Sequence, residues 1–191
     1  MKVGLFVGHG FGSLGAENRE VGGTEHLICR EIVDSANFVL GELGVPVVSC
    51  NDSLPSKVKF ANICEVDLAV EVHLNSHLNV QSNGCEVLVY EVGKDLTSAI
   101  AKSLSFEISS VLDIEDRGVK AGVYWGRWQN GKKTPLHFLR FTAMPAIVIE
   151  CFFLSNVEEA RRCIPLTKQI GDRIASVIHS YQEEIDFVKA S

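Results

Sequence analysis

The sequence predicts an α/β fold: a single domain over residues 1–191, built on a mostly parallel or mixed twisted β-sheet of about six strands with helices on both faces. Three observations predict it. Short Val-, Ile- and Leu-rich runs alternate with longer stretches of 3.6-residue periodicity. Several of the short runs are apolar on both faces, as strands of a covered parallel sheet are. A chain of 191 residues suffices for one core, burying about 70% of the surface that the unfolded chain exposes.

Strand-like runs fall at 2–8, 45–50, 67–73, 84–91, 136–141 and 145–150, each bounded by Gly, Asn or Pro. The first helix is expected over 24–43. Leu27, Ile28, Glu31, Ile32, Ala36, Val39 and Leu43 recur near helical spacing, Thr24 is a suitable N-cap and Gly44 a stop signal. This start places Glu25 in the first helical turn. Further helices are expected at 56–65, 94–112 and 165–188, with a short one at 156–163, and 182–191 reads as a polar tail. Between 123 and 141, aromatic and β-branched residues flank Asn130-Gly131, a strong hairpin signal. Its Trp125 and Trp128 suit either the rim or lid of a site or the cover of a sheet edge.

Composition narrows the class. With 46% hydrophobic and 22% charged residues and only five prolines, the chain is expected to fold rather than remain disordered. Its longest apolar runs, such as 4–7 and 143–149, are far shorter than the roughly 20 residues that span a bilayer, so no membrane insertion is expected. The N-terminus lacks the apolar length and cleavage site of a secretory signal, which suggests synthesis in the cytoplasm. A net charge of −6 and 18 scattered basic residues argue against nucleic acid as a partner. Cys29, Cys50, Cys64, Cys85, Cys151 and Cys163 include no CxxC pair. They read as buried small hydrophobes in a reducing compartment, with one or two disulfides in an oxidising setting as the alternative. No feature of the sequence specifies an oligomeric state.

Four segments carry candidate chemistry: Val7-Gly8-His9-Gly10, Gly22-Gly23-Thr24-Glu25, Glu71-Val72-His73-Leu74-Asn75 and Ala146-Ile147-Val148-Ile149-Glu150. In an open α/β sheet, ligands gather at the carboxyl ends of strands. His9 follows the first strand, His73 ends the third and Glu150 ends the last. A catalytic zinc takes three protein ligands and leaves a position for water, and His9, Glu25 and His73 offer such a set. Glu150 follows four apolar residues, where a carboxylate is costly without compensation. Beside a metal it is a candidate general base; the alternative is a capping or salt-bridged glutamate. Asn75 is placed to hold either substrate or the adjoining loop. His26, His77, His137 and His179 lack matching contexts and are expected not to be ligands. Gly10-Phe11-Gly12-Ser13-Leu14-Gly15 also spells a dinucleotide fingerprint, but no helix pattern opens at its third glycine and the later acidic residue is missing.

In order, Gly8-His9-Gly10 with Gly15-Ala16, Thr24-Glu25, Val72-His73-Leu74-Asn75, Gly84-Cys85-Glu86-Val87, Arg117-Gly118-Val119-Lys120 and Leu139-Arg140 through Glu150 with Phe153-Leu154-Ser155-Asn156 resemble the type 3 zinc N-acetylmuramoyl-L-alanine amidases. Those enzymes cleave peptidoglycan between the muramoyl lactyl group and L-alanine. The resemblance implies that His9, Glu25 and His73 bind one Zn2+ per chain, that Glu150 is the catalytic glutamate, and that Asn75 and Arg140 contact substrate. It implies bacterial peptidoglycan as partner and a mixed sheet flanked by helices. The rival readings are another zinc amidohydrolase or peptidase, and an inactive wall-binding relative. The sequence departs from the family at Ser76-His77 and in a longer stretch between Arg117 and Leu139. No wall-binding repeats follow Ser191, and the compact form resembles the catalytic part of a phage endolysin, which reaches the wall after a holin breaches the membrane.

Overall fold

The computed structural model describes residues 1–10, 12–122, 128–129 and 132–190. In chain order its strands are β1 (Val3–Val7), β2 (Glu17–Asn18), β3 (Gly23–Thr24), β4 (Val47–Val48), β5 (Leu68–Asn75), β6 (Cys85–Val89), β7 (Asp116–Ala121), β8 (Trp128–Gln129), β9 (Lys132–Lys133) and β10 (Ala146–Phe153). The helices are α1 (Glu25–Glu42), α2 (Leu54–Ile63), α3 (Leu96–Leu112), α4 (His137–Phe141), α5 (Val157–Cys163), α6 (Thr167–Ser180) and α7 (Gln182–Ala190). Six strands form one sheet in the order β4-β1-β5-β10-β6-β7; β2 with β3 and β8 with β9 make small ribbons. Every neighbouring pair in the main sheet is parallel except β10 with β6. The sheet is therefore mixed and flanked by helices, as the alternating pattern predicts.

Strand side chains alternate between faces, and the two faces are covered unequally. Val3, Leu5 and Val7 of β1, Leu68, Val70 and Val72 of β5, and Ile147 and Ile149 of β10 pack in one large core with buried residues of α1, α3 and α6. The intervening Phe6, Ala69, Ala146 and Val148 pack in a smaller core with Val58 and Ala61 of α2 and Phe138 and Leu139 of α4. That smaller layer covers only part of its face. What it leaves at the carboxyl end of β5 is polar, and there the candidate residues lie.

Several elements differ from expectation. The run 136–141 is a helix, α4, because one helical turn sets Phe138 and Leu139 together against the smaller core, Phe138 meeting Phe6 edge-on. Periodicity does not separate helix from strand in so short an apolar run. Asp116–Ala121 is polar and half-exposed, as an edge strand is, and its pairing with β6 is not evident from its composition. The last helical stretch begins at Thr167 after a 3₁₀ turn, Ile164–Leu166, and breaks at Tyr181. Residues read as a polar tail form α7, which buries Ile185 and joins Asp67 through Lys189 at 3.0 Å. In α1 the buried stripe runs through Ile28, Cys29, Ile32, Val33, Ala36 and Leu40, leaving Leu27 exposed. The hairpin appears as β8 paired with β9 across 130–131, while Trp125 lies outside the described residues. All six cysteines are free thiols, and Cys29, Cys85, Cys151 and Cys163 are buried.

Candidate metal centre and active site

Register brings the polar residues together. Glu150 of β10 lies opposite His73 of β5 on one side and opposite Glu86 of β6 on the other. Two residues earlier in β5 stands Glu71, on the same face as His73 by strand alternation. His73 and Glu150 do not end their strands as the sequence suggests; β5 continues to Asn75 and β10 to Phe153. The close strand pairing at Gly8 depends on the absence of a side chain, since a Cβ there would fall 2.6 Å from His73 Nδ1.

Glu25 enters from the start of α1. Thr24 occupies the N-cap position but makes no side-chain cap bond. The first turn is satisfied instead by the preceding loop: the backbone N–H of Glu25 donates to the Ala16 carbonyl at 2.9 Å and that of His26 to the Leu14 carbonyl at 3.0 Å. Both Glu25 oxygens point between the two imidazoles. Oε1 is 2.8 Å from His73 Nδ1 and accepts from the Leu74 N–H at 3.2 Å. Oε2 is 3.0 Å from His9 Nε2 and accepts from the Ala16 N–H at 3.0 Å. His9 adopts a left-handed conformation, φ 60°, which is uncommon outside glycine.

One donor atom each from His9, Glu25 and His73 thus lies within 4.8 Å of the others. Ligands about 2.0–2.1 Å from a tetrahedral zinc stand about 3.3 Å apart, so the residues fit such an ion with small side-chain adjustments. Two imidazoles and a carboxylate are also the right chemistry for it.

Opposite charges are concentrated at this point. Burial by itself pushes the Glu25 carboxyl up, but hydrogen bonds and charges from His73 and His9 outweigh it and hold the group well below the usual carboxylate range. Burial likewise opposes a charged His73, yet Glu71 and Glu25, with Glu150 contributing, raise it well above an ordinary histidine. Glu71 is lowered because His73 and Lys57 overcome its burial. This concentration of carboxylates calls for positive charge where His73 and His9 face Glu25. Glu150 behaves differently: burial pushes it up to about 8, reinforced by Glu25, Glu86 and Glu71 and opposed by His73. Its Oε2 is buried with no hydrogen-bond partner among the described residues.

Asn75 is engaged within the protein. Its amide nitrogen donates to Glu86 and its Oδ1 accepts from the Ser76 N–H at 2.9 Å, which matches its loop-holding alternative. Glu86 is fully buried and also accepts from Arg117 Nε at 2.9 Å, while the Arg117 guanidinium stacks on Phe153. Arg140 lies in the layer that covers the smaller core. It is exposed on α4 over the Phe141 ring, just before β10 begins at Ala146. His26 turns away, Nδ1 meeting the Gly8 carbonyl at 3.1 Å, and His77 sits in an exposed loop. After Gly15 the chain forms β2 rather than a helix, so the dinucleotide fingerprint lacks its helix. Sequence reasoning missed Lys57 and Glu71. The available signal was a glutamate inside the apolar run Leu68-Ala69-Val70-Glu71-Val72, at strand spacing from His73.

Comparison with known proteins points the same way. A family model described as N-acetylmuramoyl-L-alanine amidase matches residues 3–180. The N-acetylmuramoyl-L-alanine amidase LytC of Bacillus subtilis is 25% identical over 180 residues, covering 90% of this chain and 33% of its own. The chain therefore spans about a third of the length of that curated relative. Among solved structures, Cwp6 from Clostridium difficile superposes with a TM-score of 0.81 at 24% identity, over 94% of this chain and 29% of that one. The catalytic domain of CwlV, an N-acetylmuramoyl-L-alanine amidase from Bacillus (Paenibacillus) polymyxa var. colistinus, gives 0.78 at 24% identity, over 96% and 99%. At these identities the two superpositions establish the fold.

Proposed function

The chain belongs to the type 3 N-acetylmuramoyl-L-alanine amidase family, and on that premise we propose that it hydrolyses the amide bond between the lactyl group of N-acetylmuramic acid and L-alanine in bacterial peptidoglycan. The observation that carries this reading is the convergence of His9, Glu25 and His73 within 4.8 Å, with Glu150 in register beside His73. These three residues would hold one zinc ion, and Glu150 is the acid/base group.

Bound zinc supplies Lewis-acid polarisation of the scissile carbonyl and a lower pKa for the attacking water. The protein's own residues do the rest. Glu25, kept ionised and tied to the Leu74 and Ala16 N–H groups, holds the two imidazoles in a fixed relation. Glu150 carries an oxygen with no partner among the described residues, free to take the water's proton at its carboxylate and then to deliver it to the departing alanine nitrogen. A cation close by favours the ionised form of Glu150 that this role needs, against the burial that raises its pKa. Asn75 holds Glu86 and the following loop. Action on the cell wall follows from the substrate.

Zinc-loaded protein incubated with purified peptidoglycan is expected to release L-alanine amino termini without new reducing sugars. Glu150→Gln is expected to keep about one zinc per chain while hydrolysis falls by about 100-fold or more. Undiminished hydrolysis by this variant ends the assignment of Glu150, and new reducing ends in place of amino termini end the amidase reading.

A further inference from the structure

Lys57 is fully buried in α2. An ammonium in the interior is costly unless all its donors are used. Here each of the three finds an acceptor: the Val7 carbonyl, the His9 carbonyl at 2.6 Å and Glu71 Oε1 at 3.1 Å. A lysine ammonium has three N–H groups, so this one is saturated. Glu71 is itself only 3% exposed, and its second oxygen, Oε2, lies 3.3 Å from His73 Nε2. One side chain therefore reaches both histidine arms of the candidate metal centre.

We propose that Lys57 and Glu71 form a positioning relay for the metal centre: Lys57 fixes the left-handed turn at His9 through its carbonyl, and anchors Glu71, which orients His73. The inference rests on the metal reading above. An acceptor at Nε2 selects the His73 tautomer that keeps a proton on that nitrogen, leaving the Nδ1 lone pair directed at Glu25 and the ion between them. At His9 the φ of 60° puts the imidazole against Glu25 Oε2. Such a conformation is strained in a non-glycine residue and persists only where its surroundings hold it. The Lys57 hydrogen bond to the His9 carbonyl is the buried part of that hold, beside the Gly10–Ser13 backbone pairing. Neither residue touches the reacting atoms; both act through the ligands.

The test measures zinc affinity by competition with a chromophoric chelator, and ligand geometry from the visible spectrum of the cobalt-loaded protein. Glu71→Gln keeps the volume but offers one acceptor oxygen for two donors, Lys57 and His73. Lys57→Met/Glu71→Met removes both charges without stranding either, so the fold is expected to survive; circular dichroism and thermal melting verify it. The expected result is zinc bound about 10- to 100-fold more weakly in both variants, with altered cobalt spectra, and recovery of most of the affinity in Lys57→Arg relative to Lys57→Met. Wild-type affinity and spectra in the folded variants would overturn the relay while leaving the metal site standing, even if the variants melt lower. Absence of zinc binding by the wild-type protein would overturn both.

Discussion

At position 150 a carboxyl group has one oxygen buried without a partner among the described residues, and burial raises its pKa to about 8. A group more easily protonated in the folded than in the unfolded chain makes stability fall as pH rises. Below the ordinary glutamate value of 4.5 both states are protonated and nothing is lost; between there and about 8 the unfolded chain ionises first and the folded state loses ground. In metal-free protein, Glu150→Gln should therefore melt above wild type, with a gap that widens across that pH interval. Parallel melting curves at every pH would refute the burial argument. At this scale the sequence was largely legible. His9, Glu25, His73 and Glu150 stand out because each is a chemically capable residue in a glycine-rich or apolar context that does not otherwise call for it. Lys57 was hidden because a lysine on a helix reads as solvated until the layer above it is known. Arg140 shares a motif with Glu150 but lies on α4, ahead of the strand that carries Glu150.

The helices illustrate what periodicity conveys and what it omits. Expected spans for α1, α3 and α5 agree with the structure to within about two residues, the usual uncertainty of helix ends. The side that α1 buries is decided by its partner α6. At their contact a Cβ on Gly171 would lie 2.5 Å from the Ile32 carbonyl oxygen and 2.7 Å from Ser35 Cβ. In an exposed helix interior Gly→Ala gains about 1 kcal/mol. Here the backbone of α1 blocks the added methyl, and overpacking costs about 1–3 kcal/mol. Gly171→Ala is therefore expected to lose about 1 kcal/mol net, read as a lower urea midpoint at an unchanged slope. A rise in the midpoint would show that the helices part freely. The short elements were the hard ones. The polar strand β7 is held by its ladder to β6, and α4 by its burial over α2, neither of which local sequence reports.

In the whole molecule, three distant segments, around His9, Glu25 and His73, meet at the candidate metal centre, so on the proposed reading metal occupancy feeds back on global stability. Binding to the folded state alone adds about 2.7 kcal/mol when free zinc is 100 times its Kd. For a chain of this length each kcal/mol moves Tm by about 2–4 °C. Removing metal with a chelator should thus lower Tm by about 5–10 °C, with recovery on adding zinc; an unchanged Tm would argue that no ion bridges these segments. The α/β class, most of the strands and the choice of four candidate site residues follow from the sequence by itself, because alternation, helical periodicity and residue chemistry are local properties written along the chain. The meeting of His9, Glu25 and His73, the alignment of Glu150 between His73 and Glu86 and the burial of Lys57 under Glu71 were decided only by tertiary structure. Strand order, register and the uneven covering of the two faces join residues up to about 140 positions apart, and no local pattern encodes which of them will be neighbours.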